Sequence, residues 1–383
     1  MKIAVVCDSF KGSLTSKDAC AAVKDGLLRC NKNFEVLSLP FADGGEGTSR
    51  CFYDILGGQL RKAAVHDPLL REITAEYTVL PDGTAVIDIA SASGLTLLKS
   101  SERDAVKVSS LGSGELICDA AEHGAKHIIL GLGGSATTDA GTGILYALGM
   151  RFFSEDGDEV LPDGQNMIRV KKIRRTENFE RFKDIKFTLA CDVTNPLCGE
   201  NGAAYVFSPQ KGASKNDVKL LDDGLRNIGE IFEKASGKKI INLPGAGAAG
   251  GIGGGLSAFL NCELQSGFDV LAMAASLEDK IRRSDAVITG EGKTDRQTLF
   301  GKLPKRVSDI AEKFGVPCIL LSGDVENDIS AEKLGVCEIH KIKENGISLE
   351  HCMKNAASLL SERAFTIGKD SKIINKQYSR KQE

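Results

Sequence analysis

Four segments of this 383-residue chain place glycines or acids where a strand is expected to end: Asp43–Thr48, Gly131–Gly141, Cys191–Pro196 and Thr289–Thr298. In open α/β sheets, loops at the carboxyl ends of strands are where ligands bind. The chain holds 42 glycines against 9 prolines, and the excess is clustered. That clustering constrains the fold most, because it demands strands that stop at loops able to approach a ligand closely.

The flanking pattern supplies the elements. Ile3 to Cys7 reads as a buried strand, and Thr15 with Asp18 as a capping box. Ala19, Ala22, Val23 and Leu27 then recur at helical spacing. Ile73, Ala75, Tyr77 and Val79 alternate, Pro81-Asp82-Gly83 turns, and Val86 to Ala90 returns as a strand, which predicts a hairpin. Ser113 is expected to cap a helix over Leu116, Ile117, Ala120 and Ala121 that closes at Gly124. His127 to Leu130 and Phe187 to Cys191 read as strands. Ser214 and Asp217 form a second capping box, before Val218, Leu221, Leu225, Ile228 and Phe232. Ala286–Thr289 and Cys318–Leu321 flank a helix over 304–314, a βαβ unit that implies parallel pairing. The polar tail after Lys369 is expected to fray.

These pieces predict an α/β protein of two domains. Residues 1–66 plus 270–383 form a discontinuous Rossmann-like parallel-sheet domain, and 67–269 an inserted mixed-sheet α/β domain, with ligands expected in the cleft between them. A net charge of -3 gives no basic field for nucleic acid or an anionic membrane. No stretch approaches the ~18 uncharged apolar residues of a membrane span. The apolar run Ile3–Cys7 is too short for a signal peptide. The 11 scattered cysteines fit reduced thiols, hence a cytoplasmic location. None of the five histidines (His66, His123, His127, His340, His351) falls in the four segments, so a histidine triad or zinc site is not expected. A base, if one exists, is a carboxylate.

Each segment has a functional and a structural interpretation. Asp43 and Glu46 suit hydrated Mg²⁺ or a substrate hydroxyl, or else belong to a surface turn before a helix. In Gly131–Gly141, free N–H groups at a helix start would favour phosphate, with Asp139 either a helix cap or an acid beside a metal. Asp192 could orient a hydroxyl or hold a metal, or open a turn. Lys211 could face phosphate, or be solvated. Gly292-Lys293-Thr294 resembles the end of a Walker loop, but Val287 stands where that loop needs glycine. Gly245–Gly250 matches GxGxxG with Asp269 further on, so a dinucleotide oxidoreductase is a rival; Pro244 and the continuing glycines favour a mobile or tightly packed loop near a nucleotide.

Taken in order, Asp8-Ser9-Phe10-Lys11-Gly12-Ser13, Ala42–Thr48, Gly131–Thr137, Cys191–Leu197 and Thr289–Asp295 resemble the bacterial-type glycerate kinases, type I (the glycerate 2-kinase family). Pro209–Gly212 and Gly245–Gly255 fit as well. The resemblance implies a Rossmann-like and a swivelling-type domain, and phosphorylation of D-glycerate by ATP with Mg²⁺, usually to 2-phosphoglycerate, in a monomer or homodimer. The 3-hydroxyl is the alternative acceptor. Asp192, Lys11 and Asp295 are the expected catalytic residues. Ser9, Lys11, Asp43, Lys293 and Arg296 would bind glycerate, and Asp43, Glu46 and Asp192 the metal. Gly133, Gly134, Ser135, Thr137, Gly247, Gly250 and Gly253 would bind nucleotide. Thr138, Ala140 and Lys293 depart from the common asparagine, glycine and arginine. Lysine at 293 keeps the charge without bidentate geometry.

Overall fold

The structure is a computed structural model that describes residues 1–42, 47–344 and 346–380. The chain divides into two compact units, Met1–Asp43 with Phe268–Glu383, and Gly44–Gly267. In chain order the strands are β1 (Lys2–Cys7), β2 (Glu35–Pro40), β3 (Gln59–His66), β4 (Glu72–Val79) and β5 (Ala85–Asp88). Then follow β6 (His127–Gly131), β7 (Met150–Phe153), β8 (Lys172–Arg175), β9 (Lys186–Ala190) and β10 (Asn261–Gln265). The last are β11 (Ala286–Gly290), β12 (Lys293–Thr294), β13 (Cys318–Ser322), β14 (Asp324–Val325) and β15 (Glu338–Lys341).

The first unit carries one five-stranded sheet in the order β15-β13-β11-β1-β2, parallel throughout. Counted within the unit alone, that is the doubly wound order 2-1-3-4-5, and the order reverses between β1 and β11. Both faces are covered, which is why these strands read as continuous apolar runs. Ile3, Val5, Ile288, Ile319 and Leu321 pack with Val23, Leu27, Leu360 and Ile367. Ala4, Val6, Val287 and Leu320 alternate to the other face and are equally buried. There the helix Leu303–Lys313 meets β1, β11 and β13 and buries Val307 and Ala311. Thr15 caps the helix Ser16–Cys30 by accepting from Asp18 N–H. The tail departs from the expectation of fraying. Residues Lys372–Arg380 form a helix, Ile374 is fully buried, and Tyr378 meets Phe34 edge-on at 5.8 Å.

The second unit has a six-stranded mixed sheet, β10-β9-β6-β5-β4-β3. Strands β10, β9, β6 and β5 are parallel, while β4 runs antiparallel to both β5 and β3. Tyr77, Ile87, Ile128, Leu130, Phe187 and Leu189 form its core with Leu116, Leu225 and Phe232. The expected boundary near residue 66 falls at the end of β3. That strand pairs along its whole length with β4, so the chain enters the second unit earlier, at 43/44. The return, expected at 269/270, lies at 267/268.

Two local expectations are corrected. Ser113 lies inside the helix Leu111–Glu122, and its hydroxyl bonds Ile89 O and Ser93 Oγ instead of capping. The glycine-rich stretch does enter a helix, Ala248–Phe259, which is kinked near its start by left-handed backbone at Ala249, Gly250 and Gly251. Tertiary packing overrides the low helix propensity of glycine there.

Candidate active site

In the first unit the loops after β1 and β11 leave the sheet at its switch point, where doubly wound folds bind ligands. They are stitched backbone to backbone. Asp8 N–H donates to Gly290 O, and Gly323 N–H, just after β13, donates to Glu291 O. A β-carbon on Gly292 would stand 3.2 Å from Phe10 Cα and 3.3 Å from Lys11 N, so glycine lets the two loops touch. Ser9 is half-buried and Lys11 exposed on the tight turn Phe10–Leu14. Ser9, Lys11, Lys293, Asp295 and Arg296 lie on the segments that directly follow β1 and β11.

The charges there are arranged in pairs. Lys293 Nζ meets Glu326 at 2.8 Å, Arg296 Nε meets Asp328 at 2.6 Å, and Lys302 Nζ meets Asp295 at 3.3 Å. Asp295 also caps the helix Arg296–Leu299 through Gln297 N–H. Burial pulls its carboxyl upward, but Lys302 and the backbone donors outweigh this, and it sits below the usual carboxylate range. Glu291 was not among the expected site residues. Its side chain is 5% exposed and accepts from Thr298 Oγ1 at 2.7 Å. Burial, aided by the nearby Asp8 charge, pushes it up to about 7 against the pull of Thr298, Thr294 and Lys302. Only its position directly behind a buried strand, in Thr289-Gly290-Glu291-Gly292, hints at this.

In the second unit the loop after β6 presents Gly133 half-buried and Gly134 exposed, while Ser135, Thr137 and Thr138 are buried. Asp139 proves to be a cap. It accepts from Ser110 N–H and Oγ at 2.8 and 2.7 Å, from Gly141 N–H at 3.0 Å, and from Gly143 N–H at 3.4 Å. Those N–H groups at the start of helix Thr142–Ala147 are therefore already taken, and phosphate is not offered them. Lys211 reverses the expectation of a solvated lysine. It is 3% exposed, and its Nζ donates to Ser135 Oγ at 2.9 Å and Thr137 O at 2.7 Å. Burial lowers its amine to about 7, against the opposing field of Asp139.

The glycines expected to touch nucleotide at 247, 250 and 253 face protein backbone. A β-carbon would meet Pro196 O at 2.4 Å, Thr137 O at 2.0 Å and Gly245 O at 2.3 Å respectively. The GxGxxG spacing thus packs a helix against two loops, and Asp269 belongs to the other unit, paired with Arg306. Asp192 lies exposed on the turn after β9, whose next residues run beside Gly245 and Gly247. Asp88, also unforeseen, ends β5 and accepts from Gly47 and Ser49 N–H at 2.9 and 3.0 Å, fixing the start of helix Thr48–Leu56. Asp43 and Glu46 lie outside the described residues.

Comparison with known proteins agrees with this architecture. The family model of the glycerate kinase family matches residues 3–372. A glycerate 2-kinase of Escherichia coli is 41% identical over 86% of this chain and 87% of its own. A glycerate kinase of Halalkalibacterium halodurans is 38% identical over 95% and 97%. A crystal structure from Salmonella typhimurium LT2, provisionally described as glycerate kinase 2, superposes with a TM-score of 0.86 at 34% identity and covers both chains fully. The fold and these similarities make the chain an enzyme, a kinase acting on an alcohol group. It belongs to the glycerate kinase family. No helix among the described residues is long and apolar enough to cross a membrane.

Proposed function

We propose that this enzyme transfers the γ-phosphoryl group of ATP to D-glycerate with Mg²⁺, forming 2-phosphoglycerate, as a cytoplasmic monomer or homodimer. The observation that carries it is the 41% identity to a glycerate 2-kinase across most of both chains. Gly133, Gly134, Ser135 and Thr137 receive the nucleotide phosphates. Their fit rests on half-buried Gly133 and exposed Gly134 and on Thr137 Oγ1, which is buried without a hydrogen-bond partner among the described residues. Gly250 serves this loop by letting the following helix start close behind it, while Gly247 and Gly253 allow the same close approach to Pro196 and Gly245.

Ser9, Lys11, Lys293 and Arg296 hold the glycerate carboxylate and hydroxyls. Lys293 and Arg296 are exposed, so each can share its present acid partner with substrate at small cost. Asp192 accepts a hydrogen bond from the attacking hydroxyl and takes its proton as the new P–O bond forms and ADP departs. Asp295 keeps Lys302 and the Arg296 helix in place. Among the described residues, no group of three or more His, Cys, Asp or Glu could hold a metal. Mg²⁺ keeps several of its waters and needs one or two carboxylates plus phosphates. Asp192, with Asp43 and Glu46, supplies those oxygens. When bound, Mg²⁺ neutralises phosphate charge.

Phosphorus NMR of the product from D-glycerate and ATP tests activity and position together. A 2-phosphoglycerate signal supports the proposal, a 3-phosphoglycerate signal corrects the acceptor hydroxyl, and no glycerate-dependent ADP release refutes it. Asp192→Asn is expected to lower kcat by about a hundredfold with KM for ATP little changed. A kcat within about threefold of wild type would remove its role.

A further inference from the structure

Lys211 has no task in the chemistry above, yet its setting is costly. An ammonium has three N–H donors, and this one gives one to Ser135 Oγ and one to Thr137 O. Among the described residues it makes no ion pair within 4.0 Å. The charged group facing it is Asp139, whose oxygens already serve Ser110, Gly141 and Gly143. Arg103 is a further charged residue near this corner, its backbone lying against Gly212. Burying an unneutralised cation opposes folding, and an apolar side chain of similar length would fill the space more cheaply. What an apolar side chain lacks is a positive charge beneath a loop whose outer side is Gly133 and Gly134. Thr137 Oγ1, in the same loop, is buried without a hydrogen-bond partner among the described residues.

We propose that Lys211 is the positioning residue of the nucleotide loop: its amine fixes Ser135 and the Thr137 carbonyl from beneath, and its charge supports the triphosphate bound on the outer side. This rests on the assignment of Gly133–Thr137 to nucleotide. Ligand affinity then depends on a proton held inside the protein. Deprotonation removes the charge and leaves one lone pair with no anion to support.

The test measures KM for ATP and for D-glycerate in wild type, Lys211→Met, Lys211→Arg and Ser135→Ala, from about pH 6.5 to about pH 8.5. Lys211→Met is expected to raise the ATP KM by about tenfold and leave the glycerate KM within about twofold. The wild-type ATP KM climbs with pH more steeply than that of Lys211→Met, because only wild type loses this charge. ATP and glycerate constants rising together, or an ATP KM within about twofold of wild type, overturn the proposal. If Lys211→Met does not fold, Lys211→Arg decides. A permanent cation gives a shallower pH slope than wild type, and equal slopes overturn the proposal. Ser135→Ala separates the two levels. If it raises the ATP KM while Lys211→Met does not, the lysine proposal fails alone. If both leave the ATP KM unchanged, the nucleotide assignment fails with it.

Discussion

Lys211 precedes a glycine and Lys293 follows one, yet their settings are opposite. Lys293 has a side chain 58% exposed and stands beside Glu326, whose carboxylate raises its proton affinity. Lys211 is 3% exposed, has no carboxylate partner within 4.0 Å among the described residues, and burial lowers its proton affinity. The acids are mixed, with Asp139 on the β6 loop fully buried. Glu291, behind β11, is buried and pushed up to about 7, while Asp192, behind β9, is exposed. So the edge at the β1/β11 switch point keeps its cations outside and an acid inside. The edge at the β6 loop keeps a cation inside. Residue type alone does not separate a lysine that can reach a substrate from one that shapes a loop. Burial does.

The glycines give the sharpest way to break this contrast. Gly250 has φ +68°, and an added β-carbon would lie 2.0 Å from Thr137 O. Backbone must move, in the loop assigned to nucleotide. Gly250→Ala is expected to lose about 4 kcal/mol, from overpacking plus the left-handed conformation. At Gly292 the nearest atom would be 3.2 Å away, and Gly292→Ala should lose only about 1 kcal/mol. Urea unfolding compares the two. Equal losses would show that the two edges tolerate side chains alike and that the close packing behind Gly250 is not what shapes its loop.

Glu291→Gln probes the buried acid. Its folded-state value of about 7 lies above the ordinary 4.5, so the folded state holds this proton more tightly than the unfolded chain. The resulting stabilisation is fully present below 4.5 and is lost as pH rises through about 7. The amide never ionises. Glu291→Gln should therefore gain stability over wild type as pH rises through that window, by up to about 3 kcal/mol, seen as a growing difference in Tm. A difference in Tm that stays constant between about pH 4.5 and about pH 8 would mean that Glu291 is not held protonated. Lys211→Met has the opposite sign. The folded-state amine value, about 7, lies below the unfolded 10.5, so the cost of burying its charge is full below about 7 and fades as pH rises toward 10.5. Any advantage of the methionine variant should shrink over that range.

Much of this was legible in the sequence, for definite reasons. The cap at Thr15, the reciprocal capping box at Ser214 and the apolar runs of β1, β6, β11 and β13 are local signals, and all formed; at Thr15 only the Asp18 N–H half of the expected box is present. The parallel βαβ unit followed from a helix between two buried strands. The residues on the β1 and β11 loops were also recognisable, because they follow those strands directly. What escaped depended on distant partners. Lys211 contacts Ser135, 76 positions away, and Asp88 caps a helix 39 to 41 positions upstream. The Gly245–Gly255 spacing imitates a nucleotide fingerprint because close backbone approach needs glycine whether the neighbour is a ligand or Thr137. The place where β3 joins the second sheet depends on pairing with β4, which periodicity does not register.

The smallest expected effect lies at Lys293, and it completes the contrast with Lys211. The Lys293–Glu326 pair is exposed, so its loss should change stability by less than about 0.5 kcal/mol. If the ammonium holds the glycerate carboxylate, Lys293→Ala raises the glycerate KM by about tenfold while the ATP KM stays within about twofold. That is the mirror image of the pattern expected for Lys211→Met. Lys293→Arg adds a second donor where a carboxylate can be gripped from two sides, so it should retain or improve glycerate affinity. Steady-state kinetics with each substrate varied in turn reads both variants. A glycerate KM unchanged in Lys293→Ala would place the lysine in its surface pair with Glu326 alone, and the anionic substrate would then depend on Lys11 and Arg296.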